Sequence, residues 1–158
     1  MDQAPTPAAI PPLSVRMVIP KLGVDAVVES RGVGPDGISQ NPQDPHNVAW
    51  YDFSERPGEN GISLFAAHKD WYGIGPTVFY KLAKLAIGDQ IEVTGQDGRL
   101  RAYRVVQTFA VDPASRAADL MTGTAGSVVL YTCDGSFDVA KGEYGRRFVV
   151  KADPVTTA

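Results

Sequence analysis

Cys133 is the only cysteine in the chain, and it closes an apolar run, residues 128–132, just before the polar pair Asp134-Gly135. Inside such a run a cysteine is a small buried hydrophobe. At the run's C-terminal lip it can meet solvent, and its thiolate can act as a nucleophile. His68 is placed in the same way: it comes after the apolar run 62–67 and precedes Lys69-Asp70. An imidazole within reach of a thiol favours the thiolate and can later protonate a leaving amine. Arg146 and Arg147 open the last apolar run, 148–152. If that run pairs with the cysteine strand as a hairpin, one guanidinium reaches the thiol's end of the sheet, where it can stabilise a developing oxyanion. Side chains alternate faces along a strand, so only one arginine can point inward: Arg147 shares a face with Val149, and Arg146 with Phe148. Each residue alone has a plainer reading: a buried thiol, a satisfied histidine, a solvated arginine pair. Together they suit acyl transfer through a thiol. His46 lies between Pro45 and Asn47 in a proline-rich loop with no strand to hold it, and it is read as a surface residue.

The elements that must position these groups are mostly strand-like. Apolar runs at 15–19, 26–29, 62–67, 91–94, 100–111, 128–132 and 148–152 read as strands, with a hairpin signal at Gln96-Asp97-Gly98. Residues 32–61 are dense in Gly, Pro, Asn and Asp and read as a long irregular connection broken by Ala49-Trp50-Tyr51. Apolar residues at 78, 79, 82 and 85 fit one short helix, and 114–121 a second after Pro113. Seven or eight strands with short helices and many turns predict an all-β chain, closed or nearly closed as an antiparallel barrel.

The length of 158 residues is that of one domain. Residues 1–14 hold four prolines and read as an extended linker, residues 15–153 as the folded domain, and 154–158 as a tail. The first fourteen residues lack the apolar core of a signal peptide, and no apolar run approaches the ~18 residues of a membrane-crossing helix. Fifteen basic against eighteen acidic side chains leave a net charge of -3, which argues against a nucleic-acid partner. One cysteine excludes an intrachain disulfide, and two histidines beside it do not make a cysteine-rich zinc site.

Four blocks, in order, resemble the sortases, the bacterial cysteine transpeptidases. Leu130-Tyr131-Thr132-Cys133 is similar to their Leu-x-Thr-Cys signature. Ala49-Trp50-Tyr51-Asp52, then Arg56-Pro57-Gly58-Glu59-Asn60-Gly61 and the run into Ala67-His68, resembles the approach to their histidine. Gly75-Pro76-Thr77-Val78-Phe79 through Gly88-Asp89-Gln90-Ile91-Glu92-Val93 resembles the stretch beyond that histidine, and Arg147-Phe148-Val149-Val150 resembles their arginine strand. The resemblance spans nearly all of 15–153, and its details are most similar to the actinobacterial classes E and F, class F before E. Ala67 stands where many members have Gly, and Val129 where Thr is usual, which bears on local backbone and substrate contacts.

The resemblance implies a closed eight-stranded barrel with short helices in the connections. It implies Cys133 as nucleophile, His68 as acid/base and Arg147 as the oxyanion partner, with Arg146 as the alternative. Thr132, Tyr131 and Val149 would contact substrate. The implied reaction cuts the Thr–Gly bond of a Leu-Pro-x-Thr-Gly (LPXTG) sorting signal on a secreted protein through a thioacyl intermediate, then transfers the protein to an amine of a cell-wall precursor, in a Gram-positive organism. No metal or organic cofactor is implied. Calcium dependence is not expected, since residues 113–126 offer only Asp119 as a carboxylate. The proline-rich start would be the spacer after a membrane anchor truncated from this chain, setting a monomeric catalytic domain outside the membrane. Two other readings stay open: another cysteine peptidase or hydrolase, and a non-enzymatic β-barrel binding module with a buried thiol.

Overall fold

The computed structural model describes residues 16–35, 39–71, 73–95, 97–112, 117–138, 140 and 143–155, of which 117–118, 133–138 and 143–144 are described through their backbone. The proline-rich segment 1–14 and residues 156–158 of the expected tail lie outside them. Ten strands succeed one another: β1 Arg16–Ile19, β2 Val24–Arg31, β3 Val48–Tyr51, β4 Ser63–Ala66, β5 Asp70–Trp71, β6 Gly75–Pro76, β7 Gln90–Thr94, β8 Leu100–Val111, β9 Val128–Asp138 and β10 Glu143–Pro154. Eight of them close into a barrel in the order β1-β2-β3-β4-β9-β10-β8-β7, and β5 and β6 form a separate two-stranded hairpin. The closed eight-stranded, all-β barrel expected from the sequence is what the chain forms.

The barrel is not wholly antiparallel. β2 pairs parallel with β3, and β4 pairs parallel with β9. A parallel pair needs a long crossover. Residues 32–47 supply the first crossover and residues 67–127 the second. Those two pairings decide which strand ends meet: both β4 and β9 finish at the end of the barrel where β3 begins, as Ala49 faces Ala66 and Ala66 faces Tyr131.

The helical spacing at 78–85 has another cause than an α-helix. Only Leu82–Lys84 forms a single 3₁₀ turn, with no side-chain cap. So short a segment does not repay the cost of nucleating an α-helix. Phe79, Leu82 and Leu85 instead join the interior cluster, and Val78 packs against it. The second expected helix is likewise one 3₁₀ turn, Ala117–Leu120, and residues 113–116 lie outside the described ones.

Strand alternation sorts the apolar residues into two clusters. The first draws on all eight barrel strands, with Met17, Val28, Trp50, Phe65, Ile91, Tyr103, Leu130 and Val150 among its members, and fills the barrel. The second lies on the outer face of β3, β4, β9 and β10: Ala49, Tyr51, Leu64, Ala66, Val129, Tyr131 and Val149, joined by Leu120. Burial of a side chain such as Phe65 or Leu130, both at 0% exposure, contributes about 1.5–3 kcal/mol.

Candidate active site

The site begins with the parallel pairing of β4 and β9. The ladder runs from Ser63 opposite Val128 to Ala66 opposite Tyr131. One residue further, buried Thr132 donates from Oγ1 to the Ala67 carbonyl at 2.7 Å. Continued two residues past the end of the ladder, the same register reaches His68 and Cys133. On the other side of β9, Cys133 faces Arg147 of β10 directly, while Arg146 faces Asp134. Positions 133 and 147 are thus paired across β9 and β10, and position 68 follows the end of β4, the strand on the other side of β9. Neighbouring strands lie about 4.8 Å apart, so the three backbones fall within about 10 Å. The Cys133 side chain lies outside the described residues; the register fixes where its backbone is.

His68 is held firmly beyond the end of its strand. Its carbonyl accepts from Thr77 Oγ1 at 2.8 Å and from the Phe79 N–H at 3.0 Å. The ring is half-buried, with Trp71 edge-on at 4.6 Å. Burial pushes the imidazole below its ordinary 6.5, against the opposing pull of a hydrogen bond to the Pro42 carbonyl and the nearby Asp70 carboxylate. At neutral pH the ring is thus mainly uncharged. Its Nε2 is buried and has no hydrogen-bond partner among the described residues. A buried polar atom left unpaired is uncommon and calls for a reason. In the neutral tautomer protonated on Nδ1, Nε2 is an acceptor that can take a proton.

Arg147 and Arg146 are not equivalent. Arg147 is half-buried, and its guanidinium lies over the Tyr131 ring at 5.3 Å from the centroid. Arg146 is exposed. The Tyr131 hydroxyl donates to the Tyr51 hydroxyl at 3.3 Å, and Tyr51 stacks on Phe53 at 5.2 Å. Burial, then the Tyr131 neighbour, drives the Tyr51 phenol upward, so it stays protonated.

The three residues expected to touch substrate have different surroundings. Tyr131 and Val149 both belong to the outer cluster, Val149 at 0% exposure. Thr132 spends its hydroxyl on the Ala67 carbonyl and fastens the two strand ends together. His46 is exposed, with its Nδ1 3.3 Å from the Asp44 carboxylate. The sequence alone singles out neither Trp71 nor Pro42. Trp71 sits in a polar loop with no periodicity, and Pro42 acts through its main chain, which leaves no side-chain signature. Among the described residues no group of three or more His, Cys, Asp or Glu side chains is placed to hold a metal ion.

Comparison with known proteins bears on the family and the fold. The family model of the sortase domain matches residues 17–155. Sortase A from Corynebacterium diphtheriae, as a lid mutant, superposes with a TM-score of 0.71 at 20% identity, covering 96% of this chain and 75% of that one. Sortase C-1 from Actinomyces oris gives 0.69 at 22% identity, with 94% and 77% covered. A Clostridium perfringens Sortase D5 transpeptidase gives 0.63 at 23% identity, with 89% and 78% covered. At these identities the solved structures speak to the fold. A search of curated proteins finds no match.

Proposed function

Because the chain belongs to the sortase family, we propose that it is a cysteine transpeptidase that cleaves the Thr–Gly bond of a Leu-Pro-x-Thr-Gly-type sorting signal and joins the new carboxyl end to a cell-wall amine. The observation that carries this reading is the pairing of Cys133 with Arg147 across β9 and β10, with His68 just past the end of β4 on the other side of β9. The Cys133 thiol passes its proton to the neutral His68 imidazole, and the thiolate attacks the threonine carbonyl carbon. The oxyanion that forms is stabilised by the Arg147 guanidinium, a charge-assisted contact that strengthens as charge develops. Collapse of the tetrahedral adduct breaks the C–N bond, and protonated His68 gives its proton to the leaving glycine amine. A thioester to Cys133 remains. The acceptor amine then attacks the thioester carbon, passes a proton to His68 and releases the thiolate. Water in place of the amine gives hydrolysis.

The outer cluster of Tyr51, Tyr131 and Val149 supplies an apolar face beside positions 133 and 147, suited to the leucine and proline of the signal. Arg147 rather than Arg146 is supported by its direct register with Cys133. Trp50-Tyr51 and Gly75-Pro76-Thr77-Val78-Phe79 support an actinobacterial class F assignment within the family. A lone cysteine that must stay reduced and free fits work on the outer side of a Gram-positive membrane.

The test is mass spectrometry of the enzyme with a library of Leu-Pro-x-Thr-Gly peptides and triglycine. We expect an acyl adduct on Cys133 and a product joined at threonine. Cys133→Ala should give neither, and turnover by that variant would remove the assigned nucleophile. Arg147→Ala should lower kcat by about 10²–10³-fold, whereas Arg146→Ala should retain most activity. The reverse pattern would transfer the oxyanion role to Arg146.

A further inference from the structure

An arginine carries its charge at the end of a long, freely rotating stem. A group that stabilises an oxyanion must already be in place when the charge appears, so something has to select one rotamer of Arg147. The register of β9 and β10 supplies a neighbour that can. Arg147 stands directly opposite Cys133, and Val149 directly opposite Tyr131. Alternate positions on a strand share a face, so Arg147 and Tyr131 are diagonal neighbours on the outer face. An aromatic ring and a long side chain can bridge that diagonal, and these two do: Arg147 Cζ lies 5.3 Å from the Tyr131 ring centroid. The ring offers the planar guanidinium both an electrostatic attraction and a flat surface to lie on.

The platform is itself fixed. Tyr131 is buried, and its ring lies nearly parallel to that of Tyr51, with 6.3 Å between centroids and 17° between planes. Its hydroxyl donates to the Tyr51 hydroxyl at 3.3 Å. Tyr51, with 1% of its surface exposed, stacks in turn on Phe53 at 5.2 Å. The contacts therefore run from Phe53, just beyond β3, through two tyrosines to the half-buried Arg147 of β10. A ring packed and tied in this way has one orientation to present.

We propose that Tyr131 is a positioning residue for Arg147: its ring, braced by Tyr51, holds the guanidinium in one place on the outer face of β9 and β10, so that it is already there when the oxyanion forms. The inference rests on Arg147 acting as the oxyanion partner described above. A tyrosine kept merely for stability would lower the melting temperature when replaced, and would cost the reaction as much without the guanidinium as with it. A tyrosine that only touched the peptide would change KM and leave kcat.

The experiment is a double-mutant cycle in the full chain, read as kcat and KM with a Leu-Pro-x-Thr-Gly peptide and triglycine. Beside it, NMR of the ¹³C,¹⁵N-labelled chain without substrate follows the Arg147 side chain, assigned by difference against Arg147→Ala. Tyr131→Leu should lower kcat by about 10-fold, as when a group that meets the transition state is displaced by a fraction of an ångström. Tyr131→Phe, which keeps the ring, should recover most of that loss. In the Arg147→Ala background, Tyr131→Leu should lower kcat by less than about twofold, because no guanidinium is left for the ring to hold. The Arg147 Hδ and Hε signals should be shifted upfield by the ring in the wild type and in Tyr131→Phe, and should return to ordinary values in Tyr131→Leu. Tyr131→Met takes the place of Tyr131→Leu if that variant fails to fold. Equal kcat losses in the two backgrounds, or Arg147 signals that ignore the removal of the ring, would overturn the proposal. A wild type that turns over no sorting peptide would count against the proposed reaction, while the Arg147 signals would still decide whether Tyr131 holds the guanidinium.

Discussion

The two faces of β4, β9 and β10 solve the burial problem differently. On the inner face, Phe65, Leu130 and Val150 meet residues from every other strand of a closed barrel, and nothing needs to cover them. On the outer face, Leu64, Val129, Tyr131 and Val149 meet the buried Leu120 and the adjoining Met121 of a short connection, with Phe53, Ile62, Phe109 and Val111 packed around them. The inner cluster is sealed by closure itself. The outer one depends on a connection with one 3₁₀ turn and on the side chains at its edge. An apolar surface that can be uncovered is what a peptide substrate requires, and one that cannot be uncovered is what a scaffold requires. The same strands provide both because their side chains alternate.

Three measurements sharpen or break that contrast. The largest effect should come from comparing Phe65→Ala with Leu120→Ala in denaturant. Phe65→Ala leaves a void that a closed barrel cannot fill and should cost about 3–5 kcal/mol. Leu120→Ala removes a cover at an open edge that can settle inward, and should cost about 2 kcal/mol, the low end for such a truncation. Equal losses would mean that the outer cluster is as fixed as the core. A smaller effect is expected at Lys151, whose buried Nζ donates to the Thr122 carbonyl at 2.7 Å and lies 5.6 Å from the Phe109 ring centroid. Burial lowers its affinity for a proton. Lys151→Met keeps the apolar stem, and exposed Thr122 can turn to water, so stability should change by less than about 1 kcal/mol. Hydrogen exchange at 119–122 should nonetheless quicken. Unchanged exchange there would show that the cover does not need this tie.

The smallest effect is a drift with pH at the seam between the faces, where His68 sits. Its folded-state pKa lies below 6.5, so the unfolded chain takes up a proton first as pH falls. His68 therefore favours the folded state fully above 6.5, and that contribution is lost as pH drops from 6.5 through the lower folded value. Urea midpoints of wild type and His68→Gln, compared across that window, should converge toward its acid end. A gap that widens as pH falls would contradict the burial of the ring.

Much of this is legible in the sequence. The run 100–111 is β8 residue for residue, and Cys133, His68 and Arg147 stand out because each lies where an apolar run meets polar residues. What local pattern does not carry is partnership. Nothing in residues 62–67 says that they pair parallel with 128–131 rather than antiparallel with a nearer neighbour. The spacing at 78–85 reads as a helix because residues that plug the end of a barrel recur at the same intervals as one helix face. The hold on His68 is invisible for another reason: its acceptor is a peptide carbonyl, and every residue has one.

The parallel pairing of β4 with β9 also governs when the site comes into being. Residues 67–127 separate those two strands along the chain, and contacts between distant parts of a chain are slow to form because closing the loop between them costs entropy. Sulfur and imidazole are therefore strangers throughout synthesis and early collapse. They are introduced only when that long loop closes, so a chain that has not yet joined β4 to β9 carries no working centre.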